Sequence, residues 1–199
     1  MEKNKIDLSE AKEIQGFSDY FIFPDNRGVW SNKSNKFLAS QPTKNSPYKS
    51  VHLYNEGKSQ RVAIHVLVAQ EFIGPRPDPH PIEGEYDVEH WPDENPFNNH
   101  VNNLSYATKS QNNRRKGPKT GSSRFKGVSK NDSRYKKKIW RARLQFEKGS
   151  EEDLLRVVGN KSGHIGNYET EIEAAKAYDK KAYELDPKFA YLNFPQDYK

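Results

Sequence analysis

Between Asn113 and Ser123 the chain reads NRRKGPKTGSS, and this stretch limits what the rest can fold into. Gly117-Pro118 stops a helix, because proline lacks an N–H and pushes the residue before it out of the α region. Gly121-Ser-Ser has the composition of a flexible joint. No single sheet or core is expected to pass through such a break, so the chain divides into modules. A softer break lies at 74–81 (GPRPDPHP), where alternating prolines favour an extended loop. Apolar residues make up 33% and charged residues 30% of the 199. That is too little apolar side chain for one large core and enough for small ones.

The net charge of +6 is unevenly placed: residues 1–112 carry −3 and residues 113–199 carry +9. A basic half suits a polyanion, because each phosphate contact releases condensed counterions. Basic halves also occur on proteins that are merely soluble, so charge alone does not select nucleic acid. The chain has no cysteine, which excludes disulfides, a thiol nucleophile and a Cys-based zinc site, and fits a reducing compartment. The sequence has no long apolar run, and residues 1–12 are polar. Neither a membrane span nor a secretory signal is expected, and the chain reads as a soluble intracellular protein.

From Ile14 to Tyr54 the pattern is one of short strands and turns, with Asp25-Asn-Arg-Gly28 as a turn and Asn55-Glu-Gly57 as a hairpin signal. Arg61 to Phe72 follows as a helix, with Ile64, Leu67, Val68 and Phe72 at helical spacing and Gly74 closing it. The segment 86–115 (YDVEHWPDENPFNNHVNNLSYATKSQNNRR) predicts a strand, a polar loop, a strand from Leu104 to Ala107, and a helix. Thr108 with Gln111 makes a capping box for that helix. Asn112 then falls in its first turn, and Glu89, His90 and Asn112 are expected to converge.

Such a convergence has chemical use. Phosphodiester hydrolysis needs a base for water, a cation at the phosphate and a route for the leaving 3′ oxygen. Glu89 and Asn112 offer hard oxygen ligands for Mg²⁺ or Mn²⁺. His90 offers a base near neutrality, and Asn103 is expected to accept from one of its ring nitrogens. Taken singly, these features are ordinary. Asn-rich loops are commonly turns, His52, His80, His100 and His164 have no such context, and His65 is expected to pack or hydrogen-bond within its helix. The ordered spacing ahead of a capped helix separates Glu89, His90, Asn103 and Asn112 from that background.

The segment resembles the HNH endonucleases of phages and mobile introns. The matching elements are Glu89-His90, Asp93-Glu-Asn95, Asn98-Asn99, Asn103-Leu104, Thr108 and Asn112. The resemblance implies a ββα-metal fold, with His90 as general base, Glu89 and Asn112 as metal ligands, and Asn103 orienting His90. Residues 14–31 resemble the NUMOD-type module that precedes such domains, and 64–72 (IHVLVAQEF) their lead-in helix. Two departures are present: Glu89 stands where Asp or Asn is usual, and Trp91-Pro92 lengthens the following loop.

Beyond the joint, Trp140, Ala142, Leu144 and Phe146 alternate with Arg141, Arg143 and Gln145, predicting a strand with one apolar and one basic face. A shorter strand is expected to carry Arg124 and Lys126 and to end near Val128. A third is expected at His164–Tyr168, with Leu154–Val158 extending the hairpin. Thr170-Glu-Ile-Glu173 caps a helix whose alanines fit against the sheet. Residues 123–195 resemble an APETALA2/ethylene-response-factor DNA-binding domain through Phe125-Lys-Gly-Val128, Trp140-Arg-Ala-Arg143, 164–168, 173–179 and Leu192-Asn-Phe194.

The expectation is therefore an α+β protein: a ββα-metal nuclease domain plus a three-stranded antiparallel sheet packed on one helix. Its modules are residues 1–60 (NUMOD-like), 61–116 (nuclease), 117–123 (linker) and 124–199 (DNA-binding). Double-stranded DNA would be contacted by Arg124, Lys126, Lys138, Arg141, Arg143 and Gln145, with Arg114 and Arg115 ahead of the linker. Mg²⁺ or Mn²⁺ is the expected cofactor, and a monomer that nicks one strand the expected form. The family resemblance implies a phage or mobile element acting in a bacterial cytoplasm. The alternative is a non-catalytic DNA-binding regulator on a degenerate HNH scaffold.

Overall fold

The protein is described by a computed structural model covering residues 6–81, 83–118, 120–131, 139–145 and 151–199; the side chains of Thr43, Glu151 and Leu154 are left aside. It is a mixed α+β protein of small antiparallel sheets and a few helices. Two compact units separate: Met1–Pro79 with Glu85–Ala107, and His80–Gly84 with Thr108–Lys199.

In the first unit, β1 (Lys12–Ile14), β2 (Phe17–Ile22), β3 (Val29–Ser31) and β4 (Lys36–Phe37) form a four-stranded sheet in chain order. A second sheet holds β5 (Gln41–Thr43), β6 (Ser46–Asn55) and β7 (Lys58–Ala63). The β6–β7 turn takes positive φ at Glu56 and Gly57 (49° and 78°), which matches the right-handed twist of the paired strands. Helix α1 (Ile64–Val68) follows β7 directly and widens into a π-turn over Ala69–Ile73, ended by Gly74. The predicted helix thus begins three residues late. Arg61, Val62 and Ala63 pair with His52, Val51 and Ser50 of β6, and that ladder prevails over the local helical spacing. Strands β8 (Asp87–His90) and β9 (Leu104–Ala107) form an antiparallel ribbon. Ile22, Val51, Leu53, Val68, Val88 and Leu104 are buried in one shared core, so ribbon, sheets and α1 are fixed to one another.

In the second unit, α2 (Lys109–Arg115) begins with the predicted capping box of Thr108 and Gln111. Strands β10 (Val128–Lys130), β11 (Trp140–Arg143) and β12 (His164–Tyr168) form the expected three-stranded antiparallel sheet. Helix α3 (Glu151–Val158) precedes β12, and α4 (Glu171–Leu185) packs on the sheet through Ala174, Ala175, Tyr178 and Ala182. Thr170 and Glu173 cap α4 as predicted. Gly127 has φ +74°, and a Cβ there would lie 1.9 Å from the Tyr178 ring, so only glycine permits this approach. The carboxylate of Asp179, fully buried, accepts from the Asn193 backbone and side chain and from the Phe194 N–H, at 2.8–2.9 Å.

Three expectations are corrected here. Arg124 and Lys126 precede the first strand, which starts at Val128. Residues 154–158 belong to helix α3 instead of extending a hairpin; their apolar positions suit either form until Val157 finds the α4 core. The compact units part after Ala107, ahead of the joint at 117–123. The reason lies in α2, which is bound into the second unit. The Arg115 guanidinium donates to the Lys188 carbonyl at 3.1 and 3.3 Å, and Lys126 Nζ donates to the carbonyls of Asn113, Arg114 and Lys116. A cation at a helix C-terminus satisfies carbonyls that have no partner within the helix. Ser122 and Ser123 of the joint are likewise bonded, to Lys130 N–H and to Glu171 and Phe125.

Candidate active site and nucleic-acid-binding face

His90 ends β8 opposite Leu104, half-buried. The Tyr48 ring of β6 stacks on it at 5.5 Å and 7°, and the His65 ring of α1 lies 5.2 Å away, itself 4.4 Å from Tyr48. Nε2 of His90 lies 3.0 Å from Oδ1 of Asn99. With the Asn99 amide in this orientation its oxygen only accepts, so Nε2 carries the proton and Nδ1 is the basic nitrogen. Asn99 is itself buried.

Asn103 does other work than expected. Its Oδ1 accepts from Asp93 N–H at 2.9 Å, and its Nδ2 donates to the carbonyls of Asp93 and Asn98 at 2.8 and 3.0 Å. It therefore closes the loop between β8 and β9, and Asn99 is the ring's partner. The cause is geometric: Asn103 sits at the loop's exit, where loop backbone needs partners, whereas Asn99 lies mid-loop against the ring. Asn98 and Asn95 hold the Asp93 carboxyl below the usual carboxylate range by hydrogen bonding to its charged form.

Glu89 is buried, and its Oε1 accepts from Ser105 Oγ at 3.0 Å on the facing strand. Asn112 belongs to the second unit, in α2, with its N–H bonded to the Thr108 carbonyl at 2.9 Å. Among the described residues, no group of three or more His, Cys, Asp and Glu is placed to hold a metal ion. The donors the sequence singles out, one carboxylate and one amide oxygen, suit Mg²⁺, which retains waters and takes further oxygens from substrate phosphate.

The sequence expectation for His65 is packing or hydrogen bonding within its helix. It does pack, 6% exposed, but against His90, and its Nδ1 is buried with no hydrogen-bond partner. Burial, reinforced by His90 nearby, pushes its pKa down to about 4. Tyr48 and His65 were missed because they reach His90 through tertiary packing from β6 and α1. Asn99 was visible as half of an Asn pair, without its role.

In the second unit, Ala142 and Leu144 face the core, while Arg143 and Gln145 are exposed and Arg141 is half-buried. Arg141 donates to Asn131 Oδ1 at 2.7 Å and Arg143 to the Ser162 carbonyl at 2.8 Å. With His164 and Asn167 these residues line a depression of about 350 Å³. Two guanidiniums and several amide and hydroxyl groups on an open sheet face can contact phosphates and base edges. Arg124 is exposed, its guanidinium 4.9 Å from the Phe125 ring. Lys138 lies outside the described residues. Arg115 and Lys126 are corrected: Arg115 is 5% exposed and rests 4.2 Å from the Phe189 ring, and Lys126 caps α2, so both charges are used internally. Arg114 is paired with Asp186 at 3.8 Å.

No family model matches the chain, and no curated protein does. Among solved structures it matches one described as "DNA binding and cleavage by the HNH homing endonuclease I-HmuI". The identity is 32%, over 50% of this chain and 53% of that one, with a TM-score of 0.41. The chain thus spans about half the length of that protein, and the reading of the site rests on its own residues.

Proposed function

We propose that the chain is a metal-dependent DNA endonuclease of the HNH type, targeted to double-stranded DNA by its second unit. The observation that carries this is the setting of His90: one ring nitrogen is held by Asn99, the ring is stacked on Tyr48, and the preceding residue is a buried carboxylate. A general base needs a fixed ring with one nitrogen available, and this arrangement supplies it.

In the proposed reaction His90 Nδ1 takes a proton from water as the water oxygen attacks phosphorus. The bond from phosphorus to the 3′ oxygen breaks, the leaving oxygen takes a proton from a second water and His90 returns its proton to solvent, leaving a 5′ phosphate and a 3′ hydroxyl. Glu89 and Asn112 are the proposed ligands of Mg²⁺ or Mn²⁺, which when bound neutralises charge at the scissile phosphate and leaving oxygen. Asn103 keeps the β8–β9 loop closed. Arg124, Arg141, Arg143 and Gln145 supply phosphate and base contacts. One such site per monomer makes a nick the expected product, and the resemblance to phage and mobile-intron enzymes makes a bacterial cytoplasm the proposed place of action.

The test is a supercoiled-plasmid assay with Mg²⁺ or Mn²⁺, EDTA controls and His90→Ala. Relaxed circles that need metal and disappear with the variant are expected. Intact plasmid alongside a gel shift on the same DNA would instead favour the regulator, which the arginine-bearing sheet face alone would serve.

A further inference from the structure

The loop that presents Asn99 to His90 is braced from outside by Asn26, in the turn between β2 and β3. Asn26 Oδ1 accepts from the Asn99 N–H at 2.6 Å, and its Nδ2 donates to Asn98 Oδ1 at 3.3 Å. Beside it, the Val101 N–H donates to the Pro24 carbonyl at 2.7 Å. The loop's other bonds, from Asp93, Asn98 and Asn103, run within the loop. They fix its shape, and its position against the first sheet is set by this turn together with Val101, which packs against the shared core. The turn does not need the Asn26 side chain for itself. Arg27 donates to Asp25 from its backbone and its guanidinium, at 2.9 and 2.8 Å, and buried Phe23 lies under that guanidinium. The Asn26 backbone does not lie in the left-handed region, so other residues can occupy it.

We infer that Asn26 is a positioning residue: by holding the Asn99 backbone it sets where the Asn99 amide oxygen meets His90 Nε2, and so fixes the tautomer and aim of the base. This gives the N-terminal sheet a part in the chemistry, and it rests on the reading of His90 given above. Small misplacements of a catalytic group are costly, since a shift of about 1 Å can lower a rate by about 10²-fold.

The experiment compares wild type, Asn26→Ala and Asn26→Asp by steady-state plasmid nicking and by long-range ¹H–¹⁵N spectra of the His90 ring. Asn26→Ala is expected to lower kcat by about tenfold or more at nearly constant KM, and to turn a single His90 tautomer into a mixture. Asn26→Asp keeps an oxygen acceptor for the Asn99 N–H and is expected to restore most of both. An unchanged His90 spectrum and kcat in Asn26→Ala would overturn the inference. A loss of activity that tracks a fall in Tm and is not rescued by Asp would also overturn it, by making Asn26 merely structural. Should wild type fail to cleave any plasmid, the nuclease reading fails, and the ring spectra still decide whether Asn26 sets the His90 tautomer.

Discussion

The rings of His65 and His90 lie 5.2 Å apart, and burial makes two identical side chains chemically unlike. His65 is enclosed and held neutral far below its ordinary pKa. His90 is half-open and bonded at one nitrogen. The second is the one proposed to exchange protons with a substrate water. His90→Ala is therefore expected to lower metal-dependent nicking by about 10²- to 10⁴-fold, with DNA affinity in a gel shift unchanged.

The low pKa of His65 also predicts how stability depends on pH. Between its ordinary value of 6.5 and about 4, the unfolded chain binds a proton that the folded chain refuses. Stability is therefore greatest above that window and falls as pH drops through it, by about 3 kcal/mol if His65 acts alone. Replacing His65 with Phe keeps a ring against Tyr48 and removes the proton. Tm measured from pH 7 to pH 4.5 is expected to fall less steeply in His65→Phe than in wild type.

Asn99 and Asn103, four residues apart, should fail differently. Asn99→Ala removes the ring's partner and is expected to depress kcat with little change in Tm. Asn103→Ala leaves the Asp93 N–H and two loop carbonyls without their bonds. It is expected to cost about 1–3 kcal/mol of stability as well as activity. Thermal melts beside plasmid nicking separate the two.

The basic residues of the second unit divide in the same way. Arg143→Ala is expected to weaken DNA binding and to reduce the slope of log affinity against log salt by about one, leaving Tm nearly unchanged. Arg115→Ala is expected to cost about 2 kcal/mol of stability, because its buried guanidinium bonds the Lys188 carbonyl and lies over the Phe189 ring. The salt slope should not change. Binding isotherms at several salt concentrations, with melts, check both.

Metal dependence offers a last check. EDTA is expected to abolish nicking and added Mg²⁺ or Mn²⁺ to restore it. Glu89→Gln should require a higher metal concentration for half-maximal rate, since an amide oxygen is a weaker ligand than a carboxylate. An unchanged metal titration would remove Glu89 from the ligand set.

Much of this was legible in the sequence wherever the signal is local. The capping boxes at Thr108 and Thr170, the turn at Glu56-Gly57 and the alternation from Trp140 to Leu144 involve residues within a few positions of one another. Their chemistry is settled before the chain folds. The order Glu89, His90, Asn103, Asn112 was equally plain. Tertiary structure decided what depends on distant partners. It made Arg61–Ala63 a strand because β6 offers a ladder, and joined α2 to the second unit because Arg115 finds the Lys188 carbonyl and Lys126 finds the carbonyls that end α2. It gave Asn99 the histidine and Asn103 the loop, and brought Tyr48 and His65 to His90 from 42 and 25 residues away and Asn26 to Asn99 from 73 residues away. Hydrogen bonds and ring contacts are short-ranged in space and indifferent to sequence separation. A motif can therefore single out His90, while the groups packed around it emerge only when the chain has folded.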